Sequence, residues 1–183
     1  VNRVASGIES LGLRPGDAVG VYLPMAPEVA VAFLALARVG CIVLPMFSGF
    51  GAAAIATRLN DAEAVALIGA DFCMRRGRRV DMRAAAIEAA REVPTLRHLV
   101  VVQHDAARAG PGAPETTRRD ADGVHWKEVH WARLVEAGSP RHTAREVSAE
   151  HPLMIVYTSG TTGRPKGTVH THCGLTAKTG EDF

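Results

Sequence analysis

The sequence contains little cysteine and almost no net charge. Its three cysteines, Cys41, Cys73 and Cys173, are odd in number and widely spaced, which excludes a disulfide scaffold and favours a reducing, cytoplasmic location. The 21 Lys and Arg residues nearly balance the 19 Asp and Glu residues, so the net charge of +2 points to neither nucleic acid nor an anionic membrane as a partner. No signal-peptide pattern, internal repeat or low-complexity tract is visible.

Apolar residues are plentiful, at 47% against 22% charged residues, which excludes a disordered or collagen-like chain. The longest apolar stretch, residues 29–47, is long enough to span a bilayer, but Arg38, Gly40 and Pro45 interrupt it. We interpret it as a buried helix that ends near Gly40 and leads into a short core strand. We therefore expect no membrane span.

Helical periodicity alternates with short, continuous apolar segments along the chain. The pattern predicts strands at 18–23, 41–44, 64–68, 98–102, 153–157 and 168–170, and helices at the start and at 28–39, 51–60, 82–92 and 126–136. Polar connections are predicted at 103–123 and 139–150. This alternation predicts an α/β fold, a doubly wound, mostly parallel sheet with helices on both faces.

Directly after the fifth predicted strand, residues 157–167 read YTSGTTGRPKG. Glycines let the backbone approach a ligand closely, and successive N–H groups can form an anion-binding concavity. Hydroxyl groups add donors, and Lys166 adds a point charge suited to phosphate. The Walker pattern is not met, because Pro165 replaces its second glycine and Gly167 replaces its metal-binding hydroxyl. We call residues 158–167 the phosphate segment.

YTSGTTGRPKG resembles the phosphate-loop signature of the AMP-forming adenylating enzymes, which include acyl-CoA synthetases, luciferases and peptide-synthetase adenylation domains. Residues 16–28 resemble the first core strand and helix of that family, and residues 38–50 look most like the acetyl- and propionyl-CoA synthetase branch. Peptide-synthetase domains tend to carry an aspartate soon after the proline that corresponds to Pro45, where this chain has Met46. The resemblance implies a partial N-terminal AMP-binding domain over residues 1–183, with the C-terminal domain absent. Within it we expect the first α/β units at 1–102, a polar connection at 103–150, and the last strand, the phosphate segment and its continuation at 151–183.

The resemblance implies a reaction in two halves that uses ATP, Mg²⁺ and coenzyme A. A carboxylate attacks the α-phosphate of ATP to give acyl-AMP and pyrophosphate, and the thiol of CoA then displaces AMP. Lys166 is implied as the catalytic residue, the main electrostatic contributor, with Arg164 exposed. The residues implied to bind the β- and γ-phosphates are Thr158, Ser159, Gly160, Thr161, Thr162, Gly163 and Lys166.

A basic stretch, Arg75-Arg76-Gly77-Arg78-Arg79, resembles the segment of short-chain CoA synthetases that contacts CoA phosphates. By this resemblance Arg75 and Arg78 would bind CoA, and Gly49 would allow close backbone approach. A solvated basic turn before the helix at 82–92 is an equally open interpretation. A nucleic-acid-binding patch is a less favoured interpretation, because the stretch has no interleaved aromatic residue.

The stretch His170-Thr171-His172-Cys173 has ligand-like spacing but no fourth ligand nearby, so we expect no metal site in it. The function implied is ATP-dependent activation of a short-chain carboxylic acid to acyl-adenylate and then to acyl-CoA. Two alternatives stay open: a ligase for medium-chain or aromatic acids, and a truncated, non-catalytic nucleotide-binding remnant. We expect this polypeptide to be inactive alone.

Overall fold

The computed structural model describes residues 1–105, 116–119, 125–158 and 165–181. The strands are β1 (Ala18–Tyr22), β2 (Ile42–Pro45), β3 (Ala66–Ala70), β4 (Phe72–Arg75), β5 (Arg78–Asp81), β6 (His98–Val102), β7 (Thr116–Arg119), β8 (His125–His130), β9 (Pro152–Thr158) and β10 (Lys166–Thr171). The helices are α1 (Asn2–Ser10), α2 (Pro27–Val39), α3 (Ala52–Asp61), α4 (Met82–Arg91), α5 (Trp131–Ala137) and α6 (His172–Glu181).

Among the described residues, eight strands form one sheet in the order β10-β9-β2-β1-β3-β6-β8-β7, and β4 and β5 form a separate hairpin. From β9 to β8 the neighbouring strands are parallel, while β10 and β7 pair antiparallel at the two edges. The connections through α2 and α3 cross the sheet in opposite directions. Because such crossovers are right-handed, α2 and α3 lie on opposite faces. The predicted doubly wound, mostly parallel α/β fold is confirmed.

The core lies around the central strands β1 and β3, in which every residue is buried. A Cβ added to Gly20 would lie 2.8 Å from side-chain atoms of Leu59 and Leu67, so glycine lets α3 approach β1 closely. The apolar stretch at 29–47 folds as predicted: α2 ends before Gly40, whose φ of 82° terminates the helix, and β2 follows. Among the described residues, no helix is both long and apolar enough to cross a membrane.

Two of the predicted segments differ from the structure. The helix predicted at 126–136 is wrong in its first part, because residues 126–130 belong to β8 and the helix begins only at Trp131. Trp126 and Val129 are three residues apart, as on a helix face, but both are buried in β8, where Val129 pairs with β6 and Trp126 pairs with β7. The polar connection predicted at 103–123 contains β7, and most of its remainder lies outside the described residues.

The β4–β5 hairpin was not predicted. It turns at Arg76 and Gly77, whose φ angles are 50° and 75°, as in the two-residue turns that suit a hairpin. The connection at 139–150 contains neither helix nor strand, as predicted. The division into residues 1–102, 103–150 and 151–183 stays a prediction. Its middle part contains two strands and a helix, β7, β8 and α5.

Candidate functional site

The residues predicted to bind ligands follow strands that end at one edge of the sheet. The phosphate segment begins at the end of β9, Gly49 follows β2, and Arg75 and Arg78 lie in the hairpin after β3. Because β9, β2, β1 and β3 are parallel, their carboxyl ends lie at the same end of the sheet, which we call the carboxyl edge. In open α/β sheets ligands bind beyond this edge, which makes it the candidate site.

Thr158 and Lys166 mark the base of the phosphate segment. They are direct cross-strand partners in the β9–β10 hairpin, and both are exposed. Cross-strand partners project from the same face, so a hydroxyl and an ammonium group stand side by side at the carboxyl edge. The other predicted phosphate-binding residues lie outside the described residues, and their roles stay predictions: Ser159, Gly160, Thr161, Thr162 and Gly163.

Gly49 and Arg75, predicted from separate stretches of sequence, lie in contact. A Cβ added to Gly49 would collide with the Arg75 guanidinium, which lies 5.0 Å from the centre of the Phe47 ring. Arg78 pairs with Arg75 across the β4–β5 hairpin, and both arginines are exposed. In the part of the chain that the structure describes, neither has an ion-pair partner. We call Gly49, Arg75 and Arg78, whose binding of CoA stays a prediction, the CoA cluster.

Arg79, the last residue of the basic stretch, is engaged differently. Its guanidinium lies 3.8 Å from the centre of the Phe72 ring and 3.0 Å from the Asp105 carboxylate. Arg79 therefore supports the hairpin, while the CoA cluster keeps its two guanidinium groups exposed to a ligand.

A chain of aromatic and guanidinium contacts joins the CoA cluster to β9. Arg75 covers the Phe47 ring, which meets the Phe50 ring edge-on at 5.7 Å. The Arg58 guanidinium lies 4.3 Å from the Phe50 ring centre and 5.8 Å from that of Tyr157. Tyr157 directly precedes Thr158. The two predicted binding regions are thus physically connected.

Tyr157 stood in the motif, but sequence reasoning gave it no role. Its hydroxyl donates a hydrogen bond of 2.6 Å to Asp61 at the end of α3. Burial in the first place, and then the hydrogen bond and charge of Asp61, raise the pKa of Tyr157 above its ordinary value. The hydroxyl therefore stays a donor throughout the physiological range. Beside this contact lies a cleft of about 530 Å³, which is lined by Thr57, Asn60, Asp61, Tyr157 and Pro165.

The model of the AMP-binding enzyme family matches residues 1–181. The chain belongs to this family. The acetyl-coenzyme A synthetase of Streptomyces coelicolor is 38% identical to it over 182 residues, which are 98% of this chain and 26% of that enzyme. The acetyl-coenzyme A synthetase of Deinococcus radiodurans is 42% identical over 175 residues, 95% of this chain and 25% of that enzyme.

The solved structure of an acetoacetyl-CoA synthetase from Streptomyces lividans matches 97% of this chain with a TM-score of 0.78 and 32% identity. The match covers 26% of that structure. The chain thus has the fold of a member of the AMP-binding family, and it spans about a quarter of the length of the relatives that it matches.

The described part of the chain contains no group of three or more His, Cys, Asp or Glu residues arranged to hold a metal ion. Around the His170–Cys173 stretch, the Cys173 thiol donates to the Glu150 carboxylate at 3.0 Å, and the rings of His151 and His172 are 6.0 Å apart. Burial and then His151 lower the pKa of His172.

Proposed function

We propose that this chain supplies the pyrophosphate-binding part of an AMP-forming acyl-CoA synthetase that activates a short-chain carboxylic acid. A carboxylate oxygen attacks the α-phosphorus of ATP, the bond to the β-phosphate oxygen breaks, and pyrophosphate leaves. The sulfur of CoA then attacks the acyl carbon, and AMP leaves. The observation that carries the proposal is the phosphate signature YTSGTTGRPKG on a hairpin at the carboxyl edge, with Lys166 opposite Thr158.

The chain's own residues bind and orient rather than transfer protons in the first half-reaction. The attacking carboxylate is already ionised, so no strong general base is needed. The requirement is to hold the leaving pyrophosphate in line and to offset its growing charge. Lys166 supplies the positive charge and Thr158 a hydroxyl donor, while residues 159–163 add backbone N–H groups and further hydroxyls.

In the second half-reaction the CoA cluster would hold the phosphates of CoA. Two exposed guanidinium groups on paired strands suit phosphate, which arginine binds through two parallel hydrogen bonds. The choice of a short acid rests on the acetyl-coenzyme A synthetases among the relatives. A medium-chain or aromatic acid is the alternative substrate, a non-catalytic nucleotide-binding remnant is the alternative function, and the cytoplasm is the proposed location.

The first test is the binding of pyrophosphate to this chain by isothermal titration calorimetry. The variant Lys166→Ala removes one charge-assisted hydrogen bond, of about 1.5–3 kcal/mol, so we expect the dissociation constant to rise roughly 10- to 150-fold. The matched control is Lys178→Ala, because Lys178 is exposed on α6 and pairs locally with Glu181. Equal losses in the two variants, or no binding by the unsubstituted chain, would refute the proposal.

A second test separates the ligase from the remnant. In a chimera, this chain replaces the segment of the Streptomyces coelicolor acetyl-coenzyme A synthetase with which it aligns, and ATP/pyrophosphate exchange with acetate is measured. We expect exchange in the chimera that Lys166→Ala slows, and none from this chain alone. Pyrophosphate binding without exchange in the chimera would favour the remnant. Any longer product of the same gene would be screened with acids from acetate to octanoate and benzoate to decide the substrate class.

A further inference from the structure

The ring of Tyr157 lies across both strands at the base of the phosphate segment. Tyr157 pairs with Gly167 in the β9–β10 register, and the next pair toward the segment is Thr158 with Lys166. A Cβ on Gly167 would lie 3.3 Å from Cε1 of Tyr157 and 2.7 Å from Cγ2 of Ile155. The tyrosine ring therefore lies against the β10 backbone at Gly167, where a Cβ would be tightly packed against the ring.

Helix α3 holds this ring in place. The Tyr157 hydroxyl donates to Oδ2 of Asp61 at 2.6 Å and lies 3.4 Å from the carbonyl oxygen of Arg58, whose guanidinium lies near the tyrosine ring. The helix is itself anchored, because Ile55 and Leu59 are fully buried in the core. The contact thus fastens the hairpin base to a rigid element on one face of the sheet.

The rest of the hairpin has little such support. The β10 residues before Thr171 are exposed, and none of α6 is buried in the described structure. An edge strand held mainly by its ladder with β9 can fray and rotate. Thr158 and Lys166 would then change direction together, since both sit on the outermost described pair of that ladder.

Tyr157 does not itself face the ligand. Side chains alternate along a strand, so Thr158 and Lys166 project from the face opposite to Tyr157 and Gly167. We infer that Tyr157, fastened to α3 through Asp61, is a positioning residue that fixes the base of the phosphate segment and so aims Thr158 and Lys166 at pyrophosphate. This inference rests on the proposed function.

The experiment measures pyrophosphate affinity by calorimetry in Tyr157→Phe, in Asp61→Ala and in the double variant. Each single variant removes the same charge-assisted hydrogen bond, so we expect each dissociation constant to rise about tenfold. The double variant should be no weaker than either single one, because both changes remove one interaction. Asp61→Asn keeps an acceptor oxygen and should recover most of the affinity.

The matched control is Asp17→Ala. Asp17 also accepts hydrogen bonds, from the Arg14 backbone at 2.9 Å and the Arg97 guanidinium at 3.2 Å, but it precedes β1 at the opposite edge of the sheet. We expect this variant to lose stability without losing pyrophosphate affinity. A merely structural Tyr157 would behave in the same way.

Amide hydrogen exchange gives a readout that needs no ligand. In Tyr157→Phe we expect faster exchange at residues 156–158 and 166–168, with β1 and β3 unchanged. Normal affinity in Tyr157→Phe would overturn the inference and leave the proposed function intact. If the unsubstituted chain does not bind pyrophosphate, the proposed function fails. Faster exchange at these residues in Tyr157→Phe then still supports the role of Tyr157 in fixing the hairpin base. Unchanged exchange overturns that role.

Discussion

Replacing Gly49 by alanine tests the CoA cluster with the smallest possible change. The added methyl group would collide with the Arg75 guanidinium and lie 2.6 Å from Cε1 of Phe47. Both atoms belong to the outer ends of exposed side chains, which can move away. We therefore expect Gly49→Ala to lower the free energy of unfolding by less than about 1 kcal/mol, as for other surface substitutions.

The effect on binding should be larger than the effect on folding. Moving Arg75 from the Phe47 ring gives up a cation–π contact of about 0.5–1 kcal/mol. If Arg75 also loses one charge-assisted hydrogen bond to a phosphate of CoA, the cost is about 1.5–3 kcal/mol. The dissociation constant for CoA should then rise roughly 10- to 150-fold.

The assay is calorimetric titration of the chain with CoA, with unfolding in urea measured in parallel. Gly51→Ala is the control, because nothing lies within 4 Å of a Cβ added there. Gly51 precedes α3 as its N-cap, so alanine costs up to about 1 kcal/mol of stability without touching Arg75. Equal CoA affinity in the two variants would show that the position of Arg75 does not matter for CoA.

Three further predictions concern stability and thiol chemistry. Arg83 donates two hydrogen bonds of 2.8 Å to the buried carboxylate of Glu128. Arg83→Met leaves this carboxylate unpaired and should lower the free energy of unfolding, measured in urea, by about 3 kcal/mol. The double variant Arg83→Met with Glu128→Leu should recover most of this loss. Cys173 should react with a thiol reagent before the buried Cys41, whose pKa burial raises to about 12. As pH rises, the Cys41 thiol loses its proton in the unfolded chain before it does so in the folded one. The stability of the fold should therefore fall as pH rises above about 9, and it should fall less in Cys41→Ala. The measurement is the melting temperature as a function of pH.

The parallel sheet could be predicted because its strands carry a strong local signal. The segments that became β1 and β3 are continuous apolar runs, and a strand buried on both faces requires that pattern. The helix after β1 was marked by Pro27 at its start and Gly40 just past its end. Each of these signals lies within a few residues of the element that it predicts.

The structural features that were not predicted involve partners that are distant in sequence. Glu128 is charged and only 3% exposed, because Arg83, 45 residues earlier, neutralises it within the fold. A local pattern places such a residue on a solvent-facing helix rather than inside a sheet. In the β4–β5 hairpin Gly77 was a usable turn signal, but Arg76 at a φ of 50° was not, since arginine rarely adopts that conformation.

The same distinction runs through the candidate site. The residues proposed to face a polyphosphate are unusual in type and close in sequence, so the phosphate segment was visible as a motif. The contact proposed to fasten this segment joins Tyr157 to Asp61, 96 residues earlier, and both are ordinary residues in ordinary elements. A motif specifies which groups meet the ligand, but the direction in which they point depends on packing between α3 and the sheet. Binding at this site should therefore be sensitive to α3 as well as to the motif itself.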